Sequence, residues 1–446
     1  MIDREDNKEF AKKNLIFNEY NELDTDGLNL LRFDSDGLLI PKKVEYTIKK
    51  YFPVKSLKLI DEDKEIAIEK CLIILNDLST TFYSDSKWKF LNSNILNEQT
   101  KRKNDNTYVY KNIIEALKKG TSKGSIIEVK ENNGVESFKV GNYSKQYKLS
   151  DCYIKPKLVR YNIKTDYLIE RIRAHFFSSL STANENIIGK NLINIYGKLK
   201  LPYKVELLKI GKNLVKNKQR TKKGKILTLR NKHIDSYWVD SKNRSFIEDN
   251  IELFLHLTTN GFIIPNVGTE NSGGRVVDSF TLMPSWIRDL ILIDGEESEE
   301  VDFKCLHPNI AMNLYGGSSK YLNHQDLASY LNINLKKVKI EHLSFFNKEI
   351  YQMKKSVLFE YYNKNEKCML DSIIRDKLKN GYKVTSYKMF NKETEIMTEC
   401  IKRLNEIGIF VMYVYDALLC KKSEAEVVKN IMNEVILEKK VFTFVG

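Results

Sequence analysis

Glu299–Pro308 reads EEVDFKCLHP and Ile407–Lys422 reads IGIFVMYVYDALLCKK. Each is a strand-like run that reaches one aspartate, Asp302 in the first and Asp416 in the second, 114 residues apart (416 less 302). Two carboxylates on neighbouring strands are what a two-metal phosphoryl-transfer site needs, so the fold turns on whether these strands pair. The second run reads as a β-hairpin with Asp416 at or near its tip. Downstream of Asp302, Pro308 fits the first turn of a helix, NIAMNLYGG, that Gly316 and Gly317 end. Upstream, TTNGFIIPNVGTENSGGRVVDSF is loop-rich, with Gly273 and Gly274 freeing the backbone ahead of Arg275. A short helix-like LMPSWIRDLILI and a turn at Asp294-Gly295 then lead into the strand of Asp302.

Between the aspartates, HLSFFNKEIYQMKKSVLFEYYN places Phe346, Ile350, Val357 and Tyr361 on one face of a helix. YKMFNKETEIMTECIKRLNEI is a second amphipathic helix, with Phe390, Met397, Cys400, Ile401 and Leu404 toward a core and Gly408 as its stop. Ser423 with Glu426 has the spacing of a capping box for a final helix. The order strand, helices, hairpin, helix predicts an α+β fold: a twisted antiparallel sheet with helices behind it, on which the two carboxylates meet.

The chain has 446 residues, enough for two or three compact units, and 73 Lys and Arg against 59 Asp and Glu give a formal charge of +14. A polyanionic partner is favoured, nucleic acid before membrane, since no apolar run reaches the roughly 20 residues of a bilayer-spanning helix. The polar start MIDREDNKEF is no signal peptide, and a cytoplasmic chain with no membrane partner is expected. Six cysteines without a C-x-x-C pair, and six histidines without metal-ligand spacing, support neither a disulfide framework nor a zinc site. Charge is densest from Tyr196 to Lys232, where thirteen Lys or Arg face one acid, Glu206. Lys218, Arg220, Lys222 and Lys223 are the candidates there for gripping a nucleic-acid backbone with little sequence preference. Three segments follow: residues 1–140 as an accessory domain, 141–255 as a basic, thumb-like region, and 256–446 carrying the two aspartates. The acids of DEDKE, Asp61–Glu65, read as a turn rather than an exonuclease site.

The grammar Gly274-Arg275, Pro284-x-x-x-Arg288, a DG turn, Asp302 ending a strand and a later Tyr415-Asp416 hairpin resembles the family A nucleic-acid polymerases and the related single-subunit RNA polymerases. It looks most like their small, divergent phage and plasmid forms, and the resemblance covers roughly residues 260–440. It implies a right-hand polymerase with an antiparallel palm sheet, helical fingers inserted at about 318–385, and a mostly helical N-terminal part. It further implies that Asp302 and Asp416 hold two Mg²⁺ ions, with Mn²⁺ as an alternative, and that the Phe303 carbonyl adds a ligand. Arg275 and Arg288 would lie near a DNA or RNA primer-template, and Lys354 or Lys355, with Tyr362 or Phe359, would meet a nucleoside triphosphate. The chain departs from the pattern where Ile350 and Tyr351 replace a fingers arginine and Ala417 follows Asp416. DFKCLHP also resembles the D-x-x-S-L-Y-P of family B, which puts His307 where a bulky side chain would exclude a ribose 2′-hydroxyl and favour deoxynucleotides. The expected activity is addition of deoxynucleotides to a 3′-hydroxyl. Template-independent or RNA synthesis, a non-catalytic nucleic-acid-binding protein of replication or defence, and a two-metal nuclease are the competing readings.

Overall fold

The computed structural model describes residues 30–32, 36–83, 87–122, 124–132, 135–136, 145–154, 157–222, 224–230 and 243–446. They form a mixed α+β structure, mostly helical, in which every named strand pairing but one is antiparallel. The chain divides into two compact units, one built mainly from residues 32–179 and 204–256, the other mainly from 180–203 and 257–446. The first unit therefore runs through residue 140, where the composition suggested a break, and the main change of unit falls at 256/257.

In the first unit the helix Lys64–Ser79 is buried nearly all round, because its run of Ile, Leu, Ala and Cys leaves almost no polar face. Asp63 caps it by accepting from the Glu65 and Ile66 amides at 2.8 and 3.1 Å. The two charged residues dragged inside are both paired: Lys70 with Asp61 at 2.8 Å, and Glu69 with the Lys164 and Thr165 amides. Asp61, Asp63 and Glu65 of DEDKE thus have structural partners, Glu65 pairing with Lys49 at 2.8 Å. Later in this unit the helix Lys204–Lys216 buries only Leu207 and Gly211, and Lys209, Lys212 and Lys216 are exposed. Lys218, Arg220 and Lys222 follow on an exposed turn, while Lys223 lies outside the described residues.

The second unit is built around a five-stranded sheet. Its elements in chain order are α1 (Ile187–Tyr196), β1 (Leu199–Lys200), β2 (Asn266–Val267), β3 (Val276–Val277), α2 (Ser279–Leu282), α3 (Ser285–Arg288), β4 (Leu292–Ile293), β5 (Glu296–Asp302), α4 (Leu306–Tyr315), α5 (His324–Leu331), α6 (Leu335–Phe345), α7 (Ile350–Met353), α8 (Val357–Asn365), α9 (Lys367–Asn380), α10 (Val384–Glu406), β6 (Met412–Val414), β7 (Ala417–Lys421) and α11 (Ala425–Glu438). The order across the sheet is β6-β7-β5-β4-β1, antiparallel throughout. Val301, Leu418 and Tyr413 form one cross-strand row, each at most 6 % exposed, while Asp302, Ala417 and Val414 form the next row and point to the opposite face. Truncating Leu418 to Ala would cost about 2–5 kcal/mol. Helix α11 packs on β5 and β7, and α1 packs on β6.

Two local expectations change. The segment from His342 to Asn363 is not one helix but α6, α7 and α8. Glu349 forms a capping box with Gln352, and the Ser356 hydroxyl accepts from the Leu358 amide, so the chain restarts twice. The buried stripe accordingly runs Val338, His342, Phe345, Phe346, Leu358 and Tyr362, with Val357 and Tyr361 only half-buried. The Ser423–Glu426 box does not form either. The Ser423 amide and hydroxyl donate to the Glu296 carboxylate at 2.6 and 2.8 Å, tying the entry of α11 to the start of β5.

Candidate active site

The register of β5 and β7 sets Asp302 directly opposite Ala417, and Asp416 is the residue before it. Directly opposed antiparallel residues have Cα atoms roughly 4.5–5.5 Å apart, and consecutive residues 3.8 Å, so the two aspartate Cα atoms lie within about 9 Å. The β6–β7 hairpin closes on Val414↔Ala417, leaving Tyr415 and Asp416 as its two-residue turn. The twist of paired strands favours a positive φ at the first turn position, a role suited to glycine, yet Tyr415 occupies it at φ 59°. Cys305, three residues after Asp302, also sits in the left-handed region at φ 52°. A bulky side chain there costs on the order of 1–3 kcal/mol, and such strain gathers where surrounding packing holds a functional geometry.

Packing holds both carboxylate-bearing segments. Beyond β5, the Lys304 amide donates to the Phe444 carbonyl at 2.9 Å and the Gly446 amide to the Asp302 carbonyl at 3.3 Å. Val445 bridges Phe303 between these two bonds, and its amide donates to Asn433 Oδ1 at 2.9 Å. This pattern pins the residues flanking Phe303 and does not use the Phe303 carbonyl. The Phe303 side chain itself is buried.

Beneath Asp416 lies a buried charge network that the sequence reading did not anticipate. Glu393 of α10 is fully buried; its Oε1 accepts from Arg275 Nε at 2.7 Å and its Oε2 from Arg275 Nη2 at 2.7 Å and His307 Nε2 at 2.6 Å. The Arg275 guanidinium is stacked between Phe390, 3.7 Å from its ring centre, and Tyr415, 4.9 Å away. Burial opposes the Glu393 charge, but the hydrogen bonds and charges of His307 and Arg275 prevail and hold its carboxyl below the usual range. Asp416 goes the other way. Burial, then repulsion from Glu393, raises its carboxyl despite His307 and Arg275 nearby, so a further cation beside it would be favoured. The available signal for Glu393 was an acid on the apolar stripe of α10, in line with Met389, Met397 and Cys400.

The other predicted residues fall in different surroundings. His307, in the first turn of α4, keeps 29 % of its side chain exposed beside the carboxylate end of the sheet. Arg275 reaches the site but its guanidinium is committed to Glu393, which leaves little of it for a primer-template. Arg288 is buried, donating from Nη1 to the Phe280 carbonyl at 2.9 Å, and burial lowers its pKa, so it supports the fold rather than an open groove. Tyr362 is likewise in the core, sharing a 2.8 Å hydrogen bond with His342 and packed on Phe345 and Phe346, so in this conformation it meets no nucleotide. Phe359 is half-buried on α8. Lys354 and Lys355 are exposed just after α7.

Among the described residues no group of three or more His, Cys, Asp or Glu gathers as a metal cage, and no helix is long and apolar enough to cross a membrane. Two carboxylates and a carbonyl are nonetheless a sufficient hard-oxygen set for magnesium, which keeps several waters and usually takes only one or two carboxylates. A cleft of about 750 Å³ lined by Tyr108, Tyr110, Tyr147, Lys111 and Lys145 belongs to the first unit and contains neither aspartate.

No family model matches the chain, and no curated protein does. Among solved structures, it is similar to the POL domain of Pol1 from M. smegmatis, described in complex with DNA primer-template and dNTP. Identity is 12 % and the TM-score 0.33, over 62 % of this chain and 65 % of that one. The likeness is distant and at the level of fold only.

Proposed function

We propose that this chain is a nucleotidyltransferase that adds nucleotides to a 3′-hydroxyl, with Asp302 and Asp416 holding two Mg²⁺ ions, or Mn²⁺ in their place. The observation that carries the reading is the antiparallel register of β5 and β7, which makes neighbours of two aspartates far apart in sequence. The Phe303 carbonyl would complete the oxygen set. Bound there, the ions would favour the alkoxide of the attacking hydroxyl and offset the charge that develops on the leaving pyrophosphate.

The chain's own residues do the rest. The 3′-oxygen forms its bond to the α-phosphorus as the bond from that phosphorus to the bridging oxygen of pyrophosphate breaks, and the hydroxyl proton passes to water. The Tyr415–Asp416 turn, braced by Arg275, keeps the second carboxylate in place. His307 stands beside the carboxylates and partly open, where a nucleotide sugar would be held, and favours deoxynucleotides over ribonucleotides. Lys354 or Lys355 supplies positive charge to the triphosphate. The exposed Lys209, Lys212, Lys216, Lys218, Arg220 and Lys222 of the first unit offer a surface for the DNA or RNA backbone.

A Mg²⁺-dependent primer-extension assay, with and without template, tests this. Asp302→Ala and Asp416→Ala should each lower incorporation by roughly 10³-fold or more while the protein remains folded. Wild-type protein that binds DNA but extends nothing would instead mark a non-catalytic binder, and degradation without added nucleotides would mark a nuclease.

A further inference from the structure

Glu393 is an odd residue to find inside a helix packing face. Both of its oxygens are occupied by three donors from two other segments, and none of its surface is exposed, so it cannot itself reach a substrate or an ion. Its two partners both border the carboxylates. Arg275 stacks on Tyr415, the residue before Asp416, and His307 lies five residues after Asp302, partly open. The loop bearing Arg275 is also locked to α10: Gly273, at φ 72°, lies so close that a Cβ there would stand 2.2 Å from Phe390 Cβ. One carboxylate therefore fixes two side chains relative to the site.

A histidine can exclude a 2′-hydroxyl only if its ring cannot swing aside. A free imidazole on the first turn of α4 would have rotamer freedom; the 2.6 Å bond to Glu393 and the Phe390 ring, 5.6 Å centre to centre, remove it. We propose that Glu393 is a positioning residue for sugar selection, holding His307 rigid against the ribose 2′ position of the incoming nucleotide. This rests on the nucleotidyltransferase reading above. It assigns discrimination to a residue that never touches substrate, so the effect of losing Glu393 on sugar preference should match the effect of losing the imidazole.

The experiment is steady-state incorporation of dATP and of ATP opposite template thymidine by wild type, His307→Ala, Glu393→Gln and the double variant, with kcat and KM read separately. Glutamine keeps the shape of Glu393 but has one acceptor oxygen where the carboxylate has two, so it cannot accept from all three donors and loosens the cluster that holds His307. In both single variants the preference for dATP over ATP, as the ratio of kcat/KM values, should fall about tenfold through a lower KM for ATP, and the double variant should fall no further. Unfolding midpoints establish that each variant is folded, and His307→Ala, which leaves the Arg275–Glu393 pair intact, tests the gate even if Glu393→Gln is unstable. A folded Glu393→Gln enzyme with wild-type discrimination, an additive double variant, or unchanged discrimination in His307→Ala would each overturn the assignment. Those outcomes require an active wild type, whereas absence of incorporation with either sugar in every protein would instead remove the nucleotidyltransferase reading and this one with it.

Discussion

Two buried polar clusters in the second unit solve the same problem in opposite ways. Around Glu393 the charge is kept: a carboxylate with no exposed surface is met by Arg275 and His307, with every oxygen hydrogen-bonded. Around His342 the charge is given up. The tilted rings of His324 and His342 have centres 4.9 Å apart, and burial pulls them down to about 4 and about 3, so both are neutral near pH 7. His342 shares one nitrogen with Tyr362, and Nε2 of His324 and Nδ1 of His342 are buried without a hydrogen-bond partner among the described residues. The charged cluster borders the two aspartates and the neutral one lies among the aromatics of α6 and α8. Charge is retained inside this unit where it fixes side chains beside the candidate site, and discarded where histidine serves as packing.

That contrast predicts unequal sensitivity to truncation. Removing one partner of a buried ion pair strands the others, so Glu393→Ala should destabilise the protein by about 3–5 kcal/mol in denaturant titration, the largest effect in this set. A loss under about 1 kcal/mol would show that the network is not the anchor described here.

Asp278 is a third kind of buried ionisable group, capping α2 and accepting from Tyr196 at 2.9 Å, with no cation paired to it among the described residues. Burial outweighs its hydrogen bonds and raises its carboxyl to about 6. A folded-state value above the unfolded one means that the folded protein binds more protons between about pH 4 and 6. The contribution of this acid is therefore full below about pH 4, and is lost as pH rises through about 6. Asp278→Asn should gain on the wild type by on the order of 2 kcal/mol between pH 4 and pH 7 in paired unfolding curves, and a pH-independent difference would contradict this.

Smaller still, Tyr362→Phe removes one neutral hydrogen bond and should cost about 1 kcal/mol, with no change in sugar preference. At the exposed end of the scale, Lys218→Ala, Arg220→Ala and Lys222→Ala should leave stability within about 0.5 kcal/mol. Each that contacts a phosphate should also flatten the salt dependence of DNA binding by nearly one unit of slope. An unchanged slope in the triple variant would remove this turn from the binding surface.

Much of the site was legible because strand alternation and turn chemistry are local. The runs ending at Asp302 and Asp416, the Gly273-Gly274-Arg275 loop and the Gly316 helix stop all follow from neighbouring residues. Arg288 and Tyr362 lie inside, and the groups they bond there, the Phe280 carbonyl and His342, are not sequence neighbours. The break of the long amphipathic stretch into α6, α7 and α8 was hidden by the same apolar spacing that suggested one helix.

By itself the sequence determined the chemistry on offer: two aspartates on strand-like runs, a basic excess, and an α+β order of elements. Tertiary structure alone decided that Asp302 stands opposite Ala417, that Arg275 is spent on Glu393, and that His307 is held rather than free. The reason is physical. Composition and periodicity fix which groups a segment can present and on which face, whereas burial and pairing depend on what the rest of the chain brings to that face.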